Sequence, residues 1–178
     1  MINNYNRIVW MADKIGYLDK WVLLRFISRK TENGVKNKIL SRKFAKLSQV
    51  NMQEVAVFCE SHKCRCYLSF FDTILDRLWR MADGSIEFID SWNKEAKIYD
   101  IPDCLHLIDV DNITLEEDHI SWLESKGISD IFVLPSKTGH SIVFKGDSSL
   151  VKEYEKTGWN DINTIHLNAN INLYIPDF

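Results

Sequence analysis

The sequence is poor in the residues and patterns that mark several classes of protein. It has three prolines, seven glycines and four cysteines in 178 residues, and the cysteines are not spaced like those of a disulfide-stabilised secreted domain. No apolar run is long enough to span a bilayer, and no basic stretch followed by an apolar one opens the chain. A Walker loop, a dinucleotide-binding glycine fingerprint and a nucleophile elbow are all missing. We therefore expect an intracellular, cytoplasmic protein that does not contact membranes.

What is present describes a globular protein with an uneven charge. Hydrophobic residues make up 46% and charged residues 26% of the chain, and the length suits a single domain, 1–178. Residues 1–48 carry eleven Lys or Arg against three Asp or Glu, whereas residues 49–178 carry eleven against twenty-two. A basic segment is typical of proteins that bind a phosphate backbone, although a solvated face that balances the acidic part has the same composition. The first candidates for nucleic-acid contact are Arg25, Arg29 and Lys30.

Hydrophobic periodicity predicts an α/β part over residues 1–104. Helices are predicted over 5–17, over 51–61 and from Asp72 to Trp79, and strands over 21–28 and 64–71. A basic loop is predicted over 29–38. Residues 83–104 are predicted to form loops, with one short helix around 87–92. Within this part four side chains could in principle hold zinc. They are Cys59, His62, Cys64 and Cys66. Their spacing is not that of a usual zinc knuckle, and a helix end followed by a strand explains them better.

The pattern becomes regular from Leu105. The predicted elements are a strand over 105–111, a helix opened by Thr114 and Glu117 and closed by Gly127, a strand over 130–134, a strand over 140–145, a helix over 148–156 and a final strand within 164–175. The order βαββαβ is that of the ferredoxin-like fold, which RNA-recognition domains share. The sequence therefore predicts an α+β protein with a ferredoxin-like, RRM-like core over 105–176 and an N-terminal α/β extension over 1–104.

Two aspartates end the first strand of this core. Because strand side chains alternate between faces, Asp109 and Asp111 are expected to project to the same side. Two carboxylates in a cleft favour a divalent cation, which prefers oxygen ligands. An aspartate pair at a strand end can also simply begin the following loop. The turn after the next strand offers a hydroxyl, an ammonium and an imidazole for binding phosphate. Its residues are Ser136, Lys137, Thr138, Gly139 and His140.

The two motifs together resemble the first two motifs of the archaeo-eukaryotic primase superfamily, which includes the primase-polymerases. The matching residues are Asp109-Val-Asp111 and Ser136-Lys-Thr-Gly-His140. The chain also resembles small proteins of bacteria and their mobile elements that share a strand like 65–69, the Asp-x-Asp motif, the Gly-His turn and an Asn-rich ending like 168–174. The resemblance implies that the aspartates hold Mg²⁺ or Mn²⁺ and that the histidine and its turn contact the phosphates of an incoming nucleoside triphosphate. It also implies a nucleic-acid partner, either DNA or RNA.

The superfamily's third motif, a further carboxylate on a late strand, has no clear counterpart. The nearest candidate is Asp161, which is expected to lie before the strand. Two-metal phosphoryl transfer normally uses acidic ligands to hold both cations. Three hypotheses follow: a metal-dependent nucleotidyltransferase or nucleotide-binding protein acting on nucleic acid, a catalytically inactive nucleic-acid-binding or protein-binding module of the same fold, and a metal-dependent nuclease using Asp109, Asp111 and His140.

Overall fold

The computed structural model shows an α+β protein, as the sequence predicts. It describes residues 1–29, 37–71, 78–80, 86–88, 104–111, 115–147, 149–166 and 170–177. In chain order the strands are β1 (Ile2–Asn3), β2 (Trp21–Ser28), β3 (Lys38–Lys46), β4 (Arg65–Phe71), β5 (Leu78–Arg80), β6 (Ile86–Phe88), β7 (Cys104–Val110), β8 (Ile131–Pro135), β9 (His140–Gly146), β10 (Thr164–His166) and β11 (Ile171–Ile175). The α-helices of these described ranges are α1 (Tyr5–Lys14), α2 (Met52–His62), α3 (Glu116–Ser125) and α4 (Ser149–Glu155), and short 3-10 helices cover Leu47–Gln49 and Trp159–Asp161.

The chain forms two compact units. The first unit is Met1–Ala96 with Asn172–Phe178, and the second unit is Lys97–Ile171. The first unit holds a sheet of order β1-β11-β4-β2-β3 and the β5-β6 hairpin, and the second holds a sheet of order β10-β7-β9-β8. The assignment of 105–176 to one core was therefore wrong at its end, because β11 pairs within the first sheet. The prediction of a single domain stays a prediction.

In the first unit, local signals account for most of the observed elements. Asn51 caps α2, and its side chain accepts hydrogen bonds from the backbone N–H groups of Gln53 and Glu54 at 3.1 and 3.3 Å. Helix α1 buries Ile8, Met11 and Ala12, whose spacing marked it in the sequence. Strand β2 lies between β3 and β4, antiparallel to both.

Strand β3 was not predicted, and other predictions in this unit were wrong. Its sequence, Lys-Ile-Leu-Ser-Arg-Lys-Phe-Ala-Lys, lacks regular alternation because β3 is an edge strand whose residues are largely exposed. The helix predicted from Asp72 to Trp79 is wrong at residues 78–79, which belong to β5, and residues 72–77 lie outside the described residues. The short helix around 87–92 is likewise wrong where β6 runs.

The second unit has the predicted order strand, helix, strand, strand, helix, strand. The pairs β10-β7, β7-β9 and β9-β8 are all antiparallel. One face of this sheet packs on the helices through a core that includes Ile108 and Val110 of β7, Ile142 of β9 and Leu123 of α3, all fully buried. Glycines at 127 and 158, with φ of 80° and 82°, follow α3 and α4 as expected of helix C-termini. This arrangement fixes which side chains at the end of β7 can reach the turn between β8 and β9.

Candidate functional site

The end of β7 carries the two aspartates. Asp109 lies within the strand and is half-buried, whereas Asp111 directly follows the strand and is exposed. In the strand register, Asp109 is opposite Ser141 of β9 and Thr164 of β10. Because directly opposite residues of an antiparallel pair share a face, these two hydroxyl residues flank the Asp109 carboxylate. The environment of Asp109 is thus polar on both neighbouring strands.

The turn between β8 and β9 packs against the end of β7. The backbone N–H of Ser136 donates to the carbonyl oxygen of Gly139 at 3.0 Å, and the N–H of Gly139 donates back to the Ser136 hydroxyl at 3.2 Å. The hydroxyl of Thr138 donates to Oδ1 of Asp111. One side chain of the turn therefore binds the second aspartate directly.

Gly139 is required where the turn meets the strand. A Cβ atom at this position would lie 2.1 Å from the carbonyl oxygen of Val110 and 3.2 Å from Cα of Asp111. No side chain fits at such a separation. The close approach that Gly139 permits here is to the chain's own backbone.

His140 faces away from Asp109. It is opposite Val110 in the β7-β9 register, one residue out of phase with the pair formed by Asp109 and Ser141. Val110 is fully buried in the helix-packed core, so His140 lies on that face of the sheet. Its Nδ1 pairs with Oε2 of Glu116 at the start of α3. The structure therefore does not bring His140 to the face of Asp109, although the sequence placed them together.

The residue expected to supply a third carboxylate is also displaced. Asp161 is exposed in the short 3-10 helix before β10. The side chain that reaches Asp111 from this segment is Asn163, whose Oδ1 accepts a hydrogen bond from the Asp111 backbone N–H at 3.2 Å. On β10 the position opposite Asp109 is Thr164. Across the described ranges, no three His, Cys, Asp or Glu side chains form a group suited to a metal ion.

A buried network of hydrogen bonds positions Asn163, and no pattern in the sequence predicts it. The hydroxyl of Tyr154 donates to the carbonyl oxygen of Asn163 at 3.1 Å and lies 2.9 Å from Nε2 of His119. The other ring nitrogen of His119 donates to the carbonyl oxygen of Leu115 at 2.6 Å, and the ring stacks on Trp159. These hydrogen bonds thus link the start of α3, through α4, to the segment that holds Asp111.

Two buried polar atoms near the end of β7 have no hydrogen-bond partner among the described residues. They are the hydroxyl of Ser141 and Nδ2 of Asn163, which belong to residues only 1% exposed. An unsatisfied buried polar group costs about 1–3 kcal/mol, so such atoms are rare in stable proteins. The Ser141 hydroxyl, opposite Asp109 in the strand register, is suited to contact ordered water or a polar ligand bound at that carboxylate.

Comparisons of the chain with protein-family models, with curated proteins and with solved structures found no match. The function of this site is therefore inferred from its own residues. Among the helices of the described ranges, none is both long and apolar enough to cross a membrane.

The residues predicted to contact nucleic acid belong to the first unit. Arg25 lies on β2, where one of its guanidinium N–H groups donates to the Ser69 hydroxyl at 3.2 Å. Burial, followed by the nearby positive charge of Arg42, lowers the pKa of Arg25. The guanidinium of Arg29 lies over the ring of Tyr67, 5.7 Å from its centre. Lys30 lies outside the described residues.

Among the described residues, the four possible zinc ligands do not form a group suited to a metal ion, although Cys59 and Cys64 lie within hydrogen-bonding distance of each other. Cys59, Cys64 and Cys66 are buried free thiols, and burial raises the pKa of each, which disfavours the thiolate that zinc binds. His62 is exposed at the end of α2, where its ring stacks on Phe58 with centres 4.1 Å apart. This geometry agrees with the alternative explanation, in which these residues simply belong to the end of a helix and to the strand that follows it.

A polar cavity of about 560 Å³ lies at the opposite end of β9. Its lining includes Lys145, Gly146 and Asp147, and none of the predicted site residues. His106 is fully buried next to it and donates a hydrogen bond from Nε2 to the carbonyl oxygen of Gly146 at 3.0 Å. Burial lowers the pKa of His106, which keeps the ring neutral. The cavity is thus separate from the aspartate site.

Proposed function

We propose that the second unit binds a nucleoside triphosphate with one divalent cation, at the end of β7, on a ferredoxin-like core of the primase-polymerase type. The observation that supports it most is the packing of the Ser136–Gly139 turn against Asp111, which follows Asp109 by two residues at the end of β7. This packing brings hydroxyl, ammonium and backbone N–H groups, which suit phosphate, next to the end of a strand that carries two carboxylates, which suit a hard cation. The strand order β10-β7-β9-β8, with every pair antiparallel, supports the ferredoxin-like core.

The residues present fit one cation and not two. Asp109 and Asp111 would hold Mg²⁺ or Mn²⁺, and Mg²⁺ commonly binds one or two carboxylates and takes its other ligands from water and substrate phosphates. When bound, the cation neutralises charge on the triphosphate. The hydroxyl of Ser141, opposite Asp109 in the strand register and without a partner among the described residues, suits such a water or phosphate ligand.

In this proposal the turn holds the phosphates and His140 does not touch them. Lys137 is exposed on the turn and supplies a positive charge. Thr138 binds Asp111 and so couples the turn to the cation site. His140, paired with Glu116, fixes the base of the turn to α3 and acts as a positioning residue.

The test is calorimetric titration with Mn²⁺, and then with a nucleoside triphosphate in Mn²⁺. The wild type is expected to bind both, and the double variant Asp109→Asn, Asp111→Asn to bind neither. Asp118→Asn is the matched control, because it removes an exposed carboxylate from α3 in the same unit. Absence of triphosphate binding by the wild type, or equal binding by the double variant, contradicts the proposal.

Two candidates share this binding: a nucleotidyltransferase acting on nucleic acid, and a member of this fold that binds nucleotide without transferring it. The second candidate is favoured by the hydroxyl of Thr164 at the position opposite Asp109, where a third carboxylate would complete a two-metal centre. Extension of a labelled primer on a template at saturating Mn²⁺ and triphosphate separates the two. Incorporation establishes nucleotidyl transfer on nucleic acid, and binding without incorporation establishes the second candidate.

A further inference from the structure

The protons of the buried network in the second unit can be counted. Nδ1 of His119 lies 2.6 Å from the carbonyl oxygen of Leu115, and Nε2 lies 2.9 Å from the Tyr154 hydroxyl. The same hydroxyl lies 3.1 Å from the carbonyl oxygen of Asn163. Both ends of the network are carbonyl oxygens, which only accept hydrogen bonds. Every proton must therefore come from the imidazole and the phenol between them.

Three hydrogen bonds need three protons, and a neutral imidazole leaves the network one short. A neutral ring carries one N–H group and a tyrosine hydroxyl carries one O–H group, which makes two donors. A protonated ring carries two N–H groups and brings the number to three. All three contacts are therefore hydrogen bonds only when both ring nitrogens of His119 carry a proton.

With one ring proton, the contact that loses its donor is the one to Asn163. The contact between His119 and Leu115 is the shortest of the three, and two acceptors at 2.6 Å repel each other without a proton between them. Nδ1 thus keeps the proton, and Nε2 accepts from the Tyr154 hydroxyl. The Tyr154 oxygen then presents only lone pairs to the buried Asn163 carbonyl, which is pushed away.

Each protonation state meets one requirement of a buried site and fails another. His119 is fully buried, and a charge in such a place is costly. Trp159 reduces this cost, because its ring stacks on the imidazole with centres 4.5 Å apart and an aromatic face attracts a cation. The neutral ring avoids the charge but leaves a buried carbonyl without its donor. The network therefore has two arrangements that differ by one proton.

The other titratable groups around His119 are exposed or bonded elsewhere. On the helix-covered face of the sheet, His106 donates to the Gly146 carbonyl and His140 pairs with Glu116. The remaining charged residues of α3, of α4 and of the second 3-10 helix are exposed. The groups that bear on the proton of His119 are thus those of the network and the stacked tryptophan.

We propose that proton exchange at His119 switches the position of Asn163 and, through it, the position of Asp111. Oδ1 of Asn163 accepts a hydrogen bond from the Asp111 backbone N–H at 3.2 Å, so the network reaches the second aspartate. With two ring protons the network is complete and Asp111 is held. With one ring proton Asn163 is released. The switch belongs to the chain alone, whereas its effect on a bound cation rests on the proposed function.

The experiment is NMR spectroscopy of the whole ¹⁵N-labelled chain in EDTA, from about pH 5.5 to about pH 8.5, the interval in which histidine ordinarily exchanges its proton. As the pH rises, the His119 ring is expected to change from two protonated nitrogens to a protonated Nδ1 and an unprotonated Nε2. The backbone amide signal of Asp111 is expected to shift with the same midpoint, because its acceptor moves.

Two variants and a control test the link. In Tyr154→Phe the ring still exchanges its proton, but the Asp111 amide is expected no longer to follow it. In His119→Gln the side chain is neutral at every pH, so the shift at Asp111 is expected to disappear. The control His140→Gln removes the histidine next to the β8-β9 turn, and the shift at Asp111 is expected to remain.

Several results overturn the proposal. They are a His119 ring whose proton number stays constant over the series, an Asp111 amide that shifts with a different midpoint, a shift that persists in Tyr154→Phe, and a shift that is lost in His140→Gln.

The effect on the cation site is measured separately, by titration with Mn²⁺ at about pH 6 and about pH 8. Release of Asn163 is expected to weaken Mn²⁺ binding about two- to tenfold at the higher pH, which corresponds to the loss of one hydrogen bond. Competition between protons and Mn²⁺ for the aspartates has the opposite sign. Equal or tighter binding at the higher pH overturns the link to the cation. Absence of Mn²⁺ binding, with the NMR shifts present, refutes the proposed function and leaves the switch established.

Discussion

The sheets of the two units each bring side chains of like charge close together, but they hold these side chains differently. In the second unit, Asp111 is held by the Thr138 hydroxyl and by Asn163, and Asn163 is anchored by a buried chain through Tyr154 and His119. In the first unit, Arg42 is an exposed residue of an edge strand. Asp111 is thus anchored to the packed interior by hydrogen bonds although it is itself exposed, whereas Arg42 lies on the surface of a sheet. We expect substitutions around Asp111 to lower the free energy of unfolding much more than substitutions of Arg42.

The strongest test of this difference is Gly139→Ala. The added Cβ meets the Val110 carbonyl at 2.1 Å, so the turn must move off the end of β7. We expect a loss of about 2–3 kcal/mol in the free energy of unfolding, measured in urea, together with weaker Mn²⁺ binding. Gly127→Ala is the control, since its φ of 80° is strained but its surroundings are open, and about 1–2 kcal/mol is expected there. Equal losses in the two variants would show that the contact with Val110 is not the cause.

Removal of one hydroxyl from each unit gives a matched pair. Burial raises the pKa of Tyr154 to about 12, and burial with a hydrogen bond to Glu60 raises the pKa of Tyr174 to about 12. Tyr154→Phe leaves buried groups of His119 and Asn163 without a partner, so we expect a loss of about 1–3 kcal/mol. Tyr174→Phe frees an exposed carboxylate that water can solvate, so a loss of about 1 kcal/mol or less is expected. Urea unfolding checks both values, and the reverse order would contradict the role of the buried chain.

The second unit should also respond to acid. Because burial lowers the pKa of His106, the folded state binds fewer protons than the unfolded state, whose histidines titrate near pH 6.5. His106 is therefore not expected to lower the free energy of unfolding above about pH 6.5. Below that pH, the free energy of unfolding is expected to fall as the pH decreases. Urea midpoints at pH 7.5 and 5.5 measure this. His106→Gln keeps a donor for the Gly146 carbonyl, and its midpoint should depend less on pH; an unchanged dependence would rule His106 out as the cause.

The smallest expected effect lies at the pairing of β2 with β3, where Arg25 is opposite Arg42, and it has the opposite sign. Arg42→Gln removes a like charge from the position opposite Arg25, so we expect the stability to rise by about 0.5 kcal/mol or less at low salt and the gain to vanish at high salt. Lys43→Gln removes the ion pair with Glu54 and should lower the stability by a similarly small amount. A clear loss of stability in Arg42→Gln would mean that the arginine is structural.

Short-range patterns in the sequence predicted the elements whose signals are local. Helix α2 is specified by Asn51 at its start, and β2 by a run of β-forming residues. The edge strand β3 has no such pattern, since an edge position with one exposed side imposes little selection for alternation. The final segment was predicted as one strand and forms β10 and β11 in two different sheets, because pairing partners are chosen by distant residues.

For the candidate site, the sequence by itself determined which chemical groups are present at the end of β7 and in the turn after β8. Only the tertiary structure decided which of them meet. The register of β7 with β9 places Ser141 beside Asp109 and turns His140 toward Glu116, because a shift of one residue moves a side chain to the other face of a sheet. The buried chain from His119 to Asn163 joins residues far apart in sequence, so no local spacing encodes it. Local chemistry follows from the order of residues, whereas proximity depends on packing between elements.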